Sequence, residues 1–524
     1  MKQKPKKHSE VFLLLAMTFV VSVSVVSDYI HRNTNVVITN EPSGTAESDI
    51  YRNSDLSFVT SKQSVESPQV AQNTTPAKKE RLPQFALIDG KYPNYPYTAH
   101  GFESTDYSAQ LTAWHPTKIR SDLQSMDATG KKIAIIDTGF ALNHLGLSST
   151  WLTNSAENGS TVTEGVAPNC TSRGLALNKN CNNIDDDNNG YVDDWRGWDF
   201  MSNDNDPQTG IEFPDGLYTS HGTFVAGLAA GAPYNGLKGI AEGAKILPLQ
   251  ALGDDGLGDT LAVGLAIRYA ADSGVDVINM SLGSVYPDEW LHEQIQYAVN
   301  KGVVVVASAG NESCDCVRYP ANFPEVVAVG ASDQNDVLAS FSNWGDNIDI
   351  VAPGVGMCSY RWFPYDETTA SVCGGIGTSF ASPVVAGAIA VAIKNGATPS
   401  KAVDAVVVSA DKVAGMGTDL KSTIYGAGRL DVYEMLRSLQ APTYSLSNQI
   451  GMKLSCPGNM STCAYGVLNS SGAVLPLVAK KPTSVTGEFL YFFPTDQIIS
   501  AGLKSLQPST GVLNQPRTYV NFSP

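Results

Sequence analysis

The sequence predicts an α/β fold, a mostly parallel sheet covered by helices on both faces, followed by a small β-rich domain. Three observations predict it. Continuously apolar runs recur at Ile133–Ile136, Val275–Met280, Val303–Ser308 and Val326–Val329, as strands buried on both faces require. Helical stretches alternate with them: Thr260–Asp272 is closed by Gly274, and Leu291, Ile295 and Ala298 mark one helix face before Gly302. Strand, helix, strand, helix is the order of a parallel sheet with right-handed crossovers. The composition is globular, 43% hydrophobic and 16% charged.

In chain order, Lys2, Lys4, Lys6 and Lys7 precede an apolar run from Val11 to Val26. A basic region before an apolar run reads as an export signal. The run falls short of the roughly 20 residues of a full span, and no A-x-A cleavage site follows it. Residues 1–27 are therefore expected to be a signal peptide or a signal anchor, and any membrane contact lies there. Residues 28–104 are rich in Ser, Thr, Asn, Pro and Gln, as a polar linker, stalk or pro-segment would be. Residues 105–440 hold the main α/β domain. Residues 441–524 carry short apolar stretches such as Phe489–Phe493 among Ser, Pro and Gly, and read as the β-rich domain.

The 524 residues carry a net charge of −16. That balance argues against a nucleic-acid binder, which needs a basic footprint, and no basic patch stands past the N-terminus. A chain with one apolar stretch is not a multi-span membrane protein, and a monomer is expected. Export makes the 8 cysteines readable as disulfides. Proximity suggests Cys170–Cys181, Cys358–Cys373 and Cys456–Cys463, which leaves Cys314 and Cys316 to each other. Cross-pairing of those two with Cys358 and Cys373 stays open. His292-Glu293 starts like a zinc-protease motif, but Gln296 stands where its second histidine belongs.

Three short segments carry chemistry. Ile135-Ile136-Asp137-Thr138-Gly139 puts a carboxylate at the end of a buried strand. Ser220-His221-Gly222-Thr223 offers an imidazole. In Gly377-Thr378-Ser379-Phe380-Ala381-Ser382-Pro383 a serine opens an apolar small-residue helix, with Pro383 expected in its first turn. Each alone reads as a cap or a turn. Together, in the order Asp, His, Ser, they resemble the subtilisin family of serine proteases from about residue 130 to about 432. Ala307-Ser308-Ala309-Gly310-Asn311 and Tyr425-Gly426-Ala427-Gly428-Arg429-Leu430-Asp431 are similar to further family segments.

The resemblance implies a three-layer subtilisin-like fold and an endopeptidase acting on proteins or peptides through an acyl-enzyme. It implies Ser379 as nucleophile, His221 as general base and then acid, and Asp137 as the group that orients His221. It implies Asn311 as an oxyanion donor. Ser281, Leu282 and Gly283 resemble one wall of the substrate groove, and Gly253 and Asp254, within Leu252–Gly258, the other; substrate would lie between as an added strand. Arg318, before Tyr319-Pro320, falls near the base of the pocket for the residue preceding the cut bond (P1). There it either favours acidic or polar side chains, or it points to solvent or pairs with Glu312 or Asp315. The alternative function is a silent, surface-tethered binding protein on the same fold.

Asp185, Asp187 and Asn189 alternate before Gly190, as in a D-x-D-x-N-G calcium loop. The Tyr191 carbonyl and Asp193 or Asp194 complete a candidate Ca2+ site. Arg196 stands where an EF-hand needs Glu. Asp185, Asp186, Asp187, Asp193 and Asp194 repel unless a cation compensates, and a solvated acidic turn is the plainer alternative. Similar acidic loops bind calcium in some subtilisin-like proteases.

Overall fold

A computed structural model describes residues 92, 94–99, 113–159, 179–209, 220–363, 368–416 and 421–440, and beyond them the strands of the C-terminal segment. The expected leader and most of residues 28–104 lie outside the described residues.

The strands are β1 (Pro96–Ala99), β2 (Lys132–Asp137), β3 (Trp198–Asp199), β4 (Lys245–Gln250), β5 (Leu257–Asp259), β6 (Val277–Met280), β7 (Leu282–Gly283), β8 (Val304–Ser308), β9 (Val326–Ser332), β10 (Ile350–Pro353), β11 (Val355–Tyr360) and β12 (Ser371–Ile376). The longer helices are α1 (His221–Ala230), α2 (Thr260–Asp272), α3 (Glu289–Asn300), α4 (Thr378–Lys394), α5 (Pro399–Ser409) and α6 (Val432–Leu439). A 7-stranded sheet runs in the order β10-β9-β8-β6-β2-β4-β3, and every pairing in it is parallel.

Alternation along each strand divides the core in two. Ile133, Ile135, Val277, Val304 and Val306 pack with α1, α4 and α5 on one face. Ala134, Ile136, Ile278, Met280 and Val305 pack with α2 and α3 on the other. These are the helix-covered faces of a three-layer α/β fold. Local signals set the helix ends. The Asp259 and Asp288 side chains cap α2 and α3 by accepting from Ala262 N and Leu291 N. Gly274 and Gly302 follow these helices at φ 66° and 85°, where a side chain would be strained.

Pro383 departs from the expectation. Helix α4 begins at Thr378, so Pro383 lies inside it rather than in its first turn. A proline there leaves the carbonyl four residues back without its usual donor. That carbonyl belongs to Ser379, and the Ser281 hydroxyl supplies the missing bond at 2.7 Å. The helix thus tolerates its proline by docking onto the end of β6.

Cys358 and Cys373 face each other across β11 and β12 and form a disulfide, and Cys314 pairs with Cys316. Cys181 is also disulfide-bonded. Cys170, Cys456 and Cys463 lie outside the described residues. The C-terminal strands are β13 (Thr443–Ser445), β14 (Gln449–Ser455), β15 (Tyr465–Leu468), β16 (Val474–Leu475), β17 (Ala479–Pro482), β18 (Glu488–Pro494), β19 (Gly502–Pro508) and β20 (Thr518–Ser523). They form one sheet in the order β13-β20-β19-β15-β16 and another in the order β14-β18-β17. Phe489–Phe493 falls within β18.

Candidate active site

Three chain segments meet at the carboxyl end of the parallel sheet, where such folds place their sites. Asp137 ends β2, and His221 begins α1. Both are fully buried, and His221 Nδ1 lies 2.7 Å from Asp137 Oδ1. The small residues of the two motifs permit this contact. A Cβ on Gly222 would stand 2.5 Å from the Thr138 carbonyl oxygen. Instead, the Gly222 N–H donates to Thr138 Oγ1 at 3.0 Å, clamping the start of α1 onto the turn after β2. Asp137 Oδ1 also accepts from the Thr138 N–H at 2.7 Å.

Ser379 is the second residue of α4, so its N–H is one of the helix-start amides with no acceptor inside the helix. The Phe380 ring packs on His221 with centroids 5.5 Å apart. The Ser379 hydroxyl donates to the Ser281 carbonyl at 3.0 Å, and His221 Nε2 is buried with no hydrogen bond among the described residues. Ser281 serves this corner with its side chain as well: its hydroxyl meets Asn279 Nδ2 and Ser382 Oγ, each at 3.0 Å.

Asn311 follows β8. Its Oδ1 accepts from the Thr378 N–H at 3.0 Å and the Thr378 hydroxyl at 2.9 Å. Two donors on one end fix the amide orientation. Buried Asn343 ties the adjoining loop, accepting from the Glu312 N–H and donating to the Ala309 and Cys316 carbonyls. Arg318 Nε pairs with Glu312 Oε2 at 3.1 Å. Sequence reasoning gave no role to Asn343 or to the Thr378 and Ser281 hydroxyls; the latter two stand in quoted segments, but nothing local shows what their side chains reach.

The expected groove segments fall at or beside β5 and β7, and β1 lies between these two strands, antiparallel to both. Tyr97 faces Gly258, Thr98 faces Leu257 and Gly283, and Ala99 faces Leu282. The Ala99 N–H donates to the Gly256 carbonyl at 3.0 Å. Leu282 and Gly283 therefore carry one ladder with β1. The other is carried by Leu257–Asp259 rather than by Gly253 and Asp254. Those two lie in the turn before β5, where Gly253 N donates to the Leu257 carbonyl and Asp254 Oδ1 accepts from Thr209 Oγ1. A turn spends its backbone groups on itself, so the next strand pairs outward.

In the acidic loop, Asp185 and Asp187 gather with Glu157, their carboxylate oxygens lying within 4.8 Å of one another. Glu157 is fully buried, its Oε1 accepts from the Asp187 N–H at 3.0 Å, and its Oε2 has no hydrogen bond among the described residues. Burial pushes its carboxyl up to about 8. An orphaned buried carboxylate beside two others fits an oxygen-loving cation. The other predicted ligands make further contacts in and around the loop. Asn189 Nδ2 donates to Asp194 Oδ2 at 2.7 Å, and the Tyr269 hydroxyl donates to the same oxygen at 2.6 Å. The Asp193 carboxylate accepts from the Asn183 N–H, and the Tyr191 ring packs against Trp198, Phe200 and Tyr269.

The parallel sheet, with a helix-initial serine near a buried Asp–His pair, belongs to the class of subtilisin-like serine endopeptidases. The subtilase family model matches residues 128–428. The chain is 33% identical to thermitase of Thermoactinomyces vulgaris, over 66% of its own length and 99% of that protein. It is 33% identical to the thermophilic serine proteinase of Bacillus sp. (strain AK1), over 70% of its length and 75% of that protein. It is also 40% identical to the halolysin-like extracellular serine protease Nep of Natrialba magadii, over 40% of its length and 37% of the relative. The chain belongs to the subtilase family. Among the described residues no helix is long and apolar enough to cross a membrane.

Proposed function

We propose that the chain is an exported endopeptidase in which Ser379 attacks the peptide carbonyl, and that β1 is the end of a pro-segment held in the substrate groove. The observation that carries this reading is the position of β1. Its last residue, Ala99, faces Leu282, next to Ser281, whose carbonyl accepts the Ser379 hydroxyl. A peptide of the chain thus occupies the groove as an added strand and runs toward the nucleophile.

A turn of the Ser379 side chain redirects its hydroxyl to His221 Nε2, the buried nitrogen left open for it. His221 takes the proton as the acyl ester forms and returns it to the leaving amine. Asp137 holds Nδ1–H and stabilises the imidazolium. Asn311 Nδ2 and the Ser379 N–H face the developing oxyanion. Water then hydrolyses the ester. Glu157, Asp185 and Asp187 would hold Ca2+, which supplies charge compensation to the loop; Asn189, Asp193 and Asp194 shape it. Residues 1–27 export the chain, 28–104 include the pro-segment, 105–440 form the catalytic domain and 441–524 a β-rich appendage. The substrates are proteins or peptides, and the enzyme acts as a monomer.

The test is a serine-directed covalent probe on the chain purified in calcium buffer, with N-terminal sequencing. Labelling lost in Ser379→Ala, casein cleavage and a new N-terminus shortly after Ala99 are expected. An unlabelled, inactive chain with its N-terminal segment removed would establish the silent-scaffold alternative instead. A new N-terminus far from Ala99 would reject the pro-segment reading of β1.

A further inference from the structure

The walls of the groove reach past the strand that pairs with them. Tyr95 precedes β1, and its ring stacks on Tyr286 with centroids 4.5 Å apart and planes 12° from parallel. Its backbone is held on both sides by one residue, Thr260. The Tyr95 N–H donates to Thr260 Oγ1 at 3.0 Å, and the Thr260 N–H donates to the Tyr95 carbonyl at 3.0 Å. The Thr260 hydroxyl in turn contacts buried Asp288 Oδ2 at 2.5 Å. A hydroxyl that donates to a carboxylate presents its lone pairs to an incoming N–H. The Thr260 N–H is an unpaired helix-start donor of α2, so the Tyr95 carbonyl caps that helix.

None of these backbone contacts depends on the side chain at position 95. The side-chain contact is made by Tyr286, three residues after Gly283 on the same wall, and it stays 42% exposed beneath Tyr95, beside Val285 at 52%. Along the segment, Tyr97 and Ala99 are buried while Pro96 and Thr98 are exposed, so Tyr95, Tyr97 and Ala99 share the inward face. A large aromatic face on a rim is a binding surface when a strand is delivered over it.

We propose that Tyr286 is an outlying aromatic subsite that takes the side chain two residues before the one at the buried Tyr97 position, with Thr260 clamping that residue's backbone. This rests on the proposed peptidase function and names a substrate class for it: extended peptides with Tyr, Phe or Trp at that position. The site belongs to the walls, so it remains for a substrate strand once the enzyme's own segment has been cut away.

The test uses processed enzyme and two internally quenched peptides, one copying residues 93–104 and one carrying Tyr95→Ala. The KM of the alanine peptide should be about 3- to 10-fold higher, with kcat little changed, as expected for one stacked pair. In Tyr286→Ala that KM ratio should fall to near one, and in Tyr286→Phe it should persist. A ratio near one in the unmodified enzyme, or one that survives Tyr286→Ala, overturns the proposal. Failure to cut either peptide would count against the peptidase reading, and a readout free of turnover then decides. In the full-length Ser379→Ala chain, the Ala99 amide should exchange hydrogen about 3- to 10-fold faster when Tyr286→Ala is added. An unchanged exchange rate overturns the subsite.

Discussion

Thr378 holds Asn311 by two bonds to a single oxygen: its N–H and its hydroxyl both donate to Oδ1. The hydroxyl also accepts from the Gly310 N–H at 3.2 Å, so it fixes the loop and the amide together. Thr378→Val keeps the shape and removes the hydroxyl. We expect kcat to fall about tenfold with little change in KM, since one charge-positioning bond is lost. Asn311→Ala should cost roughly two to three orders of magnitude, the range known for the subtilisin asparagine itself. Because Thr378 acts through Asn311, the two losses should not add. Additive losses would mean that Thr378 only stabilises the helix start.

Calcium removal is the second prediction. A chelator should lower the melting temperature by about 5 °C or more, since an ion held at 100 times its Kd contributes about 2.7 kcal/mol. Glu157→Gln should raise the calcium concentration needed for recovery. Asp186→Asn should not, because Asp186 pairs with Lys179 outside the cluster. A calcium-independent melting curve would refute the site.

His115 gives a pH prediction with a definite sign. It is buried, neither ring nitrogen has a hydrogen bond among the described residues, and burial lowers its pKa from 6.5 to about 4. Between those values the unfolded chain binds the extra proton, so stability is complete above about 6.5 and falls as pH drops toward 4. The loss is on the order of 3 kcal/mol. In saturating calcium, urea unfolding from pH 7 to pH 4 should be less pH-dependent in His115→Leu. Parallel curves for the two proteins would show that the imidazole is already solvated in the fold.

The Arg318–Glu312 pair makes the P1 prediction. Glu312 Oε2 takes the guanidinium and also contacts Asn343 Nδ2 at 2.5 Å, so the arginine's charge is already met by a carboxylate. Glu312→Gln should release it and raise the preference for Glu over Leu at P1 by about fivefold, the scale of a partly exposed ion pair. No shift in a P1 peptide library would place Arg318 outside that pocket.

The buried scaffold could be read from the sequence because burial on both faces leaves an unbroken apolar run. Ile133–Ile136 and Val326–Val329 both lie inside sheet strands, and the helix expected at Thr260–Asp272 has those bounds. The two-residue strands β3 and β7 are too short to carry any period. Asp137, His221 and Ser379 stand in motifs, but the contacts that tie the oxyanion loop and the acidic loop join residues far apart in the chain. Glu157 meets Asp187 across 30 positions, and Thr378 meets Asn311 across 67. Such contacts are set by tertiary packing and leave no local trace. Pro383 misled for a related reason: only the fold brings Ser281 to the carbonyl that the proline deprives.

The pro-segment role proposed for β1 has a consequence for how the enzyme is controlled in bulk. While the strand is tethered, its local concentration at the groove is fixed by the chain, so diluting the protein does not empty the groove. Once the tether is cut, the same strand is an ordinary solute whose occupancy falls with concentration. One scission therefore converts a concentration-independent block into a dilutable one. A crowded compartment would keep cut molecules quiet that an open medium sets to work.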